Sequence, residues 1–273
     1  MLPITADCQE NPAIAAGKEI AVVTTAYGKV RGYIHTGIYT FKGIPYGTAK
    51  RFMPPEKAAS WEGIRSSMTF GPTCPSPESY VFRDEYEFPL NRSHGYYIKE
   101  NCLNLNIWSK EVNGAERKPV MVYLHGGGFS SGSSVEFSSL DGENLSRKGD
   151  VVVVSINHRL NTLGFLDLSA YGDKYKPLVI KQANQKSKTS HAPVYVYLFA
   201  WQSPVLDGTY KAFHTMDLPF VFNNIARCEE MTGGGQRAYQ MADKMSAAWI
   251  QFARTGNPNC KEIPDWPNYT SIN

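Results

Sequence analysis

The spacing of apolar and polar positions predicts short strands in the first part of the chain. Residues 21–25 are apolar and β-branched, residues 29–35 and 39–44 alternate, and glycines separate these segments. No helical period runs through them, so they predict an antiparallel meander. Residues 50–100 are rich in proline and aromatic side chains, which is typical of a long surface excursion.

Three later segments predict strands of a different kind. Residues 103–108 are a strand candidate, residues 119–124 form a short segment that is apolar on both faces, and residues 151–154 are four consecutive valines that open a segment ending at residue 156. Strands that helices cover on both faces lose their alternation, so this pattern predicts the centre of a parallel α/β sheet. Residues 138–148 predict a short helix, and residues 193–201 predict one more strand.

The last part of the chain contains a strongly amphipathic segment at residues 238–254. The side chains of Met241, Met245, Trp249 and Phe252, together with Ala248, recur at helical spacing. Gly256 follows as a stop signal. We interpret this apolar stripe as core packing rather than as a cofactor site.

The predicted strands outnumber the helices that could cover them. A parallel connection needs a crossover of about a dozen residues, usually helical. Residues 157–192 offer no convincing long helix, and Lys181, Lys186 and Lys188 lie in a polar stretch that resembles a solvated linker. The imbalance indicates that sequence is missing from the interior of the domain.

Composition narrows the class of protein. The 273 residues can form one large domain or at most two small ones, and 42% hydrophobic with 19% charged residues is typical of a globular chain. A net charge of +3 is too small to indicate a nucleic-acid partner. No apolar run approaches the ~20 residues of a membrane span, and no signal-peptide pattern is visible.

The five cysteines carry little information by themselves. They contain no CxxC pair, so zinc and thioredoxin chemistry are poorly supported, and we expect no metal or cofactor. An odd count leaves at least one thiol unpaired, and scattered buried or surface thiols remain the simple interpretation. The five are Cys8, Cys74, Cys102, Cys228 and Cys260.

One motif points to chemistry. The sequence His125-Gly126-Gly127-Gly128-Phe129 follows directly on the strand predicted at residues 119–124. Consecutive glycines let the backbone approach a ligand and direct N–H groups at it. Such groups stabilise the oxyanion of an acyl-transfer intermediate by about 3 kcal/mol per donor. The alternative is a plain glycine-rich turn.

This motif is one of several that together resemble a known family. The chain is similar to the type-B carboxylesterases, α/β-hydrolases that include cholinesterases and bacterial esterases acting on p-nitrobenzyl esters. Asn101 stands where the family usually has aspartate. The matching segments are residues 28–32, 41–46, 51–55, 100–107, 125–129, 157–159, 164–166, 213–222 and 252–258.

The resemblance implies roles for particular residues. It makes Gly127 and Gly128 the oxyanion donors, with Gly126 beside them, and makes His214 the catalytic base. It implies a small carboxylic ester as substrate, no cofactor and no metal. The expected fold is an α/β-hydrolase whose central, mostly parallel sheet is truncated and follows an N-terminal antiparallel meander.

The resemblance also implies a disulfide between Cys74 and Cys102. A loop of that size would be stabilised by about 3–4 kcal/mol. The expected bond favours a secreted or extracytoplasmic location. A second bridge, between Cys228 and Cys260, is left open.

The domain organisation follows from the same resemblance. We expect a single α/β-hydrolase domain over residues 1–273, made of an N-terminal family half at 1–176 and a C-terminal family segment at 177–273. Arg51 and Glu100 match a family ion pair, which we expect to be buried and structural. The resemblance passes from early to late family sequence near residues 176–177.

The nucleophile is the part that the sequence lacks. An α/β-hydrolase presents its serine in a G-x-S-x-G elbow between a strand and a helix. The formal match, Gly128-Phe129-Ser130-Ser131-Gly132, overlaps the oxyanion motif and precedes no suitable helix, so we interpret Ser130 as a decoy. Between residue 177 and His214 the only acid is Asp207, in a Leu-Asp-Gly turn that is more typical of a structural role.

Three functions remain open at this point. The first is a carboxylic-ester hydrolase by family, acting through acyl transfer to serine and then to water, with this chain inactive or nearly so. The second is a non-catalytic binding or adhesion protein on the same scaffold. The third is a fragment without a function of its own.

Overall fold

A computed structural model describes residues 13–76, 97–165, 195, 197, 199–209, 212–213 and 215–267. Eleven strands lie within these residues. They are β1 (Ile14–Ala15), β2 (Val22–Thr25), β3 (Gly28–Arg31), β4 (Tyr33–His35), β5 (Ile38–Pro45), β6 (Gly47–Thr48), β7 (Glu56–Lys57), β8 (Ile64–Ser66), β9 (Asn104–Ser109), β10 (Val120–Leu124) and β11 (Val152–Asn157).

Six of these strands form the central sheet, in the order β1-β4-β5-β9-β11-β10. β10 and β11 are parallel, with Val122 opposite Val154, and the remaining neighbours in this sheet are antiparallel. The predicted meander is divided between two sheets, because β2 and β3 pair with β8 in a separate three-stranded sheet. β6 and β7 form a two-stranded ribbon.

Five α-helices accompany the sheet in the described part of the chain. The predicted helix at 138–148 is interrupted, since a 3₁₀ turn at Ser138–Leu140 ends at Asp141, whose backbone is extended. None of the described helices is both long and apolar enough to cross a membrane. The helices are α1 (Glu143–Gly149), α2 (Asn161–Phe165), α3 (Leu218–Val221), α4 (Glu229–Thr232) and α5 (Gly235–Thr255).

The strand predicted at residues 193–201 is only partly described. Pro193, Val194, Val196 and Leu198 lie outside the described residues, and the described members of the segment belong to no β-ladder. Lys181, Lys186 and Lys188 also lie outside the described residues.

The main core lies between one face of the sheet and helices α1 and α5. Trp108 of β9, Val153 of β11 and Leu145 of α1 are almost fully buried there, together with Ile250 of α5. A Cβ at Gly149 would stand 2.6 Å from the Ile250 side chain, so the glycine permits the close approach of α1 and α5. Burial of such side chains stabilises the fold by about 1.5–3 kcal/mol each.

The amphipathic helix is confirmed, but its buried face differs from the predicted one. α5 ends at Gly256, which has φ +76° and donates its N–H to the Phe252 carbonyl over 2.8 Å. Its packed side chains are small or β-branched: Ala238, Ala242, Ser246, Ala248 and Ile250 are buried. The larger side chains expected in the core, Met241, Trp249 and Phe252, are 36%, 36% and 39% exposed, because the described residues that face them do not cover them fully.

A buried carboxylate joins the N-terminal strands to the helices. Glu143 accepts hydrogen bonds from Thr36 over 2.8 Å and Arg147 over 2.5 Å, and its other oxygen lies 2.6 Å from Nδ1 of His35. Burial raises the pKa of Glu143, but these hydrogen bonds outweigh it and lower the pKa to about 2. The carboxylate therefore stays charged near neutral pH and links β4 to α1.

β10 is the edge of the central sheet, and one face of it is open. Val120, Val122 and Leu124 are 56%, 54% and 63% exposed, although the sequence predicted a strand buried on both faces. Met121 and Tyr123, on the opposite face, pack against the main core. Among the described strands, β10 has β11 as its only neighbour, so both its apolar face and its outer hydrogen-bonding edge lack a partner.

We predict that this open face reduces solubility. Val122→Lys should raise the soluble yield while it changes the free energy of unfolding by no more than about 0.5 kcal/mol, because charges on edge strands oppose aggregation. Met121→Lys is the matched control, since it directs the same charge into the core and should cost about 2 kcal/mol or more. Soluble yield and urea unfolding measure both effects. Equal behaviour of the two variants would contradict the assignment of the two faces.

Candidate active site

The glycine motif forms a tight loop at the carboxyl end of β10. The carbonyl of Gly127 accepts the N–H groups of Ser130 and Ser131 over 3.0 and 3.1 Å. Gly127 has φ +116°, and a Cβ there would lie 1.9 Å from the Ser131 carbonyl oxygen. Gly128 follows at φ +58°. The chain therefore turns back on itself at a position that only glycine can occupy without distortion.

The outward side of the loop is open. A Cβ at Gly126 or Gly128 would meet no atom within 4 Å. Among the described residues, the N–H groups of Gly127 and Gly128 donate no hydrogen bond. Donors of this kind, without internal partners at the end of a central strand, can bind an oxyanion or another small anionic oxygen.

Buried polar side chains anchor the loop to the sheet. Oδ1 of Asn157, the last residue of β11, accepts the Ser134 N–H over 2.8 Å. The side-chain amide of Asn106, on β9, donates to Ser134 Oγ and Ser155 Oγ, both over 3.1 Å. Asn106 also accepts the Gly43 N–H over 3.0 Å. Since these groups satisfy one another, the loop is held in a single position relative to three strands.

Two histidines lie beneath the loop. Nδ1 of His125 donates to the Gly126 carbonyl over 2.8 Å, and the rings of His125 and His158 stack with centroids 4.3 Å apart. Burial lowers the pKa of His125, and burial together with the nearby His125 lowers the pKa of His158 to about 4. Both rings are therefore neutral near pH 7. Phe165 packs edge-on against His158, with the ring centroids 6.4 Å apart.

Ser130, the formal G-x-S-x-G serine, is exposed on this loop. Its hydroxyl donates to the Gly127 carbonyl over 3.1 Å, so its proton is directed at the loop's own backbone. No helix follows Ser130 directly, since the 3₁₀ turn at Ser138–Leu140 is the next helical element. The arrangement lacks the strand-to-helix elbow that activates a nucleophile.

Of the two other residues considered for a catalytic triad, the structure describes Asp207 but not His214. His214 lies outside the described residues, so its distance from the glycine loop stays a prediction. Asp207 lies in a turn at Val205–Gly208 with φ +56°, a conformation that aspartate tolerates better than most residues. This placement agrees with a structural role for Asp207 in the turn.

Arg51 and Glu100 form a bidentate ion pair at the surface. Nε of Arg51 donates to the Glu100 carboxylate over 3.0 Å, and a second guanidinium nitrogen contacts the other oxygen. The side chains are 63% and 34% exposed, so the expectation of a buried pair is wrong. The hydrogen bonds from Arg51 lower the pKa of Glu100. In this setting water screens the attraction, and the pair contributes little to stability.

The predicted disulfide between Cys74 and Cys102 is not present. Both are free thiols, buried in one cluster with Leu160, and the Leu160 N–H donates to Cys74 Sγ over 3.1 Å. The two thiols are themselves hydrogen bonded, which lowers the pKa of Cys74 and raises that of Cys102. The expectation of an oxidising compartment therefore loses its support.

The other cysteines form no described bridge either. Cys228 and Cys260 are both free, so the second bridge left open by the sequence is absent. Cys228 is buried, with its sulfur 3.7 Å from Ser138 Oγ, and burial raises its pKa to about 11. Cys8 lies outside the described residues.

Sequence reasoning gave no role to the asparagines that hold the loop. Asn106 and Asn157 are almost fully buried, and the Asn157 carbonyl accepts the Tyr46 hydroxyl over 2.9 Å. Polar residues inside otherwise apolar strands were the available signal, because a buried amide requires partners. Arg159 was likewise missed, although it donates to the Met53 carbonyl over 2.8 Å.

The sheet and the glycine loop define a protein of the α/β-hydrolase class. An esterase of Clostridium hathewayi superposes with a TM-score of 0.79 at 23% identity, covering 92% of each chain. A solved PNB esterase superposes with a TM-score of 0.73 at 20% identity. At these identities the similarity concerns the fold, and the predicted fold class is confirmed.

The chain belongs to the carboxylesterase family, whose profile matches residues 19–175 and 168–273. It is 35% identical to the para-nitrobenzyl esterase of Bacillus subtilis over 158 residues, which are 56% of this chain and 30% of that protein. It is 36% identical to human carboxylesterase 3 over 181 residues, 61% of this chain and 30% of that protein. It is 34% identical to mouse neuroligin-2 over 189 residues, which are 53% of this chain and 22% of that protein. The matched part of the chain thus covers less than a third of the length of each of these relatives.

We predict that the loop depends on glycine at position 127. Gly127→Ala should lower the free energy of unfolding by about 1–3 kcal/mol or rearrange the loop, because the new Cβ would collide with the Ser131 carbonyl. Gly126→Ala is the matched control and should change stability by less than about 0.5 kcal/mol. Urea unfolding and amide exchange across residues 126–132 report both effects. A Gly127→Ala protein that matches Gly126→Ala would show that the loop has another conformation.

We also predict that His158 makes stability depend on pH. Between pH 6.5 and about 4 the unfolded chain binds a proton at this residue that the folded chain does not, so acidification lowers the free energy of unfolding. For a fully buried histidine, a pKa shift of this size would lower the free energy of unfolding by about 3 kcal/mol. Partial exposure reduces it to about 1–2 kcal/mol.

The measurement is urea unfolding from pH 7 to pH 4 for the wild-type chain and His158→Gln. The variant should lose less stability over this range, whatever its stability at pH 7. Glu143, whose pKa in the folded chain is about 2, contributes equally to the pH dependence of both proteins, so its contribution cancels in the comparison. Parallel curves for the two proteins would contradict the prediction.

Proposed function

We propose that this chain carries the oxyanion-binding end of a carboxylic-ester hydrolase without an activated nucleophile. The observation that carries the proposal is the glycine loop after β10, whose Gly127 and Gly128 N–H groups have no partner among the described residues. A small carboxylic ester would place its carbonyl oxygen against these donors. No metal or cofactor is needed for acyl transfer of this kind.

The edge position of β10 supports the missing-nucleophile part of the proposal. In an α/β-hydrolase the nucleophilic serine stands at the carboxyl end of a sheet strand. A further strand parallel to β10, on its open side, would end beside the glycine loop. The family profile matches the chain in two segments that overlap at residues 168–175, and we propose that the interior of the family domain is absent close to this overlap.

His214 completes the proposed chemistry. By family resemblance it is the general base that would accept the proton of the attacking serine or water. Without an activated serine, the base and the oxyanion donors can support residual catalysis only, since a triad acts as a unit and its loss costs on the order of a millionfold in rate.

A non-catalytic binding protein is the second candidate. It is favoured by the exposed apolar side chains Val120, Val122 and Leu124 on the open side of β10. Contiguous apolar surface of this kind marks interaction sites as well as sites of aggregation. The similarity of the chain to neuroligin-2, whose name does not describe an esterase, also supports this candidate.

The test is hydrolysis of p-nitrophenyl acetate by the purified chain beside Ser130→Ala and His214→Ala. We predict no multiple turnover, and a slow background release that His214→Ala lowers and Ser130→Ala leaves unchanged. Circular dichroism of each protein checks that the variants stay folded.

Multiple turnovers that Ser130→Ala abolishes would contradict the proposal, because they would identify Ser130 as a working nucleophile. Turnover that neither substitution affects would indicate a contaminating esterase. An intact family esterase assayed in parallel confirms that the conditions detect the activity.

A further inference from the structure

A large groove lies on the side of α5 that the core leaves open. Its volume is about 840 Å³, and its described walls are α5, Tyr197, residues 199–204 and residues 263–267. This volume lies within the range of about 300–1,000 Å³ typical of small-molecule sites. The groove is separate from the glycine loop, since none of residues 125–132 lines it.

The groove explains why Met241 and Trp249 of α5 are exposed, whereas Met245 is partly buried against the core. Met241, Met245 and Trp249 follow one another along the helix and form its floor. The facing wall is aromatic, with Phe199 and Trp201 lining it. An apolar chain or ring placed between the two walls would therefore contact hydrophobic groups on both sides.

The charges that line the groove are unequally distributed along it. Arg237 lies at the Trp201 end, with its guanidinium 6.0 Å from the centre of the Trp201 ring. Lys244 lines the middle. Within the described residues, neither cation forms an ion pair with a carboxylate. The amino end of α5, at Gly235, adds the positive end of a long helix dipole near Arg237.

Among the described residues that line the groove, the one acidic side chain lies at the far end. Asp265 precedes Trp266, whose ring contacts Tyr197 with centroids 5.8 Å apart. Trp249 lies at that end of the floor. At a rise of 1.5 Å per residue, it is ~18 Å from Arg237 along the axis of α5. Among the described charged side chains that line the groove, the cations Arg237 and Lys244 are therefore separated from Asp265 by apolar surface.

We propose that this groove binds a free amphipathic carboxylate, such as a medium-chain fatty acid. The carboxylate lies against Arg237, with Lys244 adding to the positive field, and the apolar chain runs over Met241 and Met245 toward Trp249. A guanidinium that stacks on an aromatic ring is well suited to hold a carboxylate by two parallel hydrogen bonds. The inference does not depend on the esterase proposal.

The test is a titration of the monomeric chain with decanoate and, separately, with decanol, which has the same chain and no charge. Trp201, Trp249 and Trp266 line the groove, so tryptophan fluorescence reports occupancy directly. We expect saturable binding of decanoate, about tenfold or more tighter than that of decanol, because charge-assisted hydrogen bonds are the stronger class.

Two variants separate charge from apolar contact. Arg237→Gln combined with Lys244→Gln should weaken decanoate binding about tenfold and leave decanol binding unchanged. Lys261→Gln removes a charge from a neighbouring lysine outside the groove and should have no effect. Trp249→Ala, at an exposed position, should weaken the binding of both ligands.

Equal affinity for decanoate and decanol would overturn the proposal, because the groove would then select apolar chains without recognising charge. So would the absence of saturable binding in a protein that circular dichroism shows to be folded. If sedimentation shows that the chain self-associates and that Trp249→Ala abolishes the association, a second copy occupies the groove, and the proposal is wrong.

Discussion

The parallel pairing of β10 with β11 is the interaction on which the candidate site depends. The register aligns Leu124 with Ile156, so both strands end at the same edge of the sheet. The glycine loop leaves β10 at that edge, and Asn157 ends β11 there. Because the asparagine side chain holds the loop at Ser134, the position of the loop depends on the strand register. A shift of one residue would move Asn157 to the other face.

Burial of the polar groups around the loop costs free energy of desolvation, and their mutual hydrogen bonds offset this cost. Asn106 and Asn157 are buried between strands, where an unpaired amide would be destabilising. Their hydrogen bonds reach three strands and the loop at once. The stacked rings of His125 and His158 stay neutral near pH 7, since burial disfavours their charged forms. A rigid, uncharged environment of this kind favours a site whose donors are oriented before the ligand arrives.

Much of this architecture could be predicted from the sequence, because it rests on local patterns. The valine-rich β11, the glycine loop and the helix that ends at Gly256 each carry their signal within a few residues. The exposed face of β10 could not be predicted in the same way. An apolar strand looks the same whether or not a neighbour covers it, and burial is decided by elements that are distant in sequence.

The same limit explains the remaining errors. The helical spacing of Met241, Trp249 and Phe252 correctly predicted one helix face, but the spacing does not say whether another element packs on that face. The matched positions of Cys74 and Cys102 predicted neighbouring sulfurs, which lie in one cluster, but pairing into a disulfide depends on geometry and redox conditions. Arg51 and Glu100 do interact, yet their exposure follows from the surface route of the surrounding chain.

The central claim is that the chain holds an oxyanion loop without an activated serine. Intact-mass spectrometry after reaction with a fluorophosphonate tests it most directly, because this reagent forms a stable adduct with a serine only where a base and oxyanion donors activate it. The account predicts no adduct on the folded chain beyond that on the urea-denatured chain. A stoichiometric adduct on the folded chain, mapped to Ser130 and absent from Ser130→Ala, would contradict it.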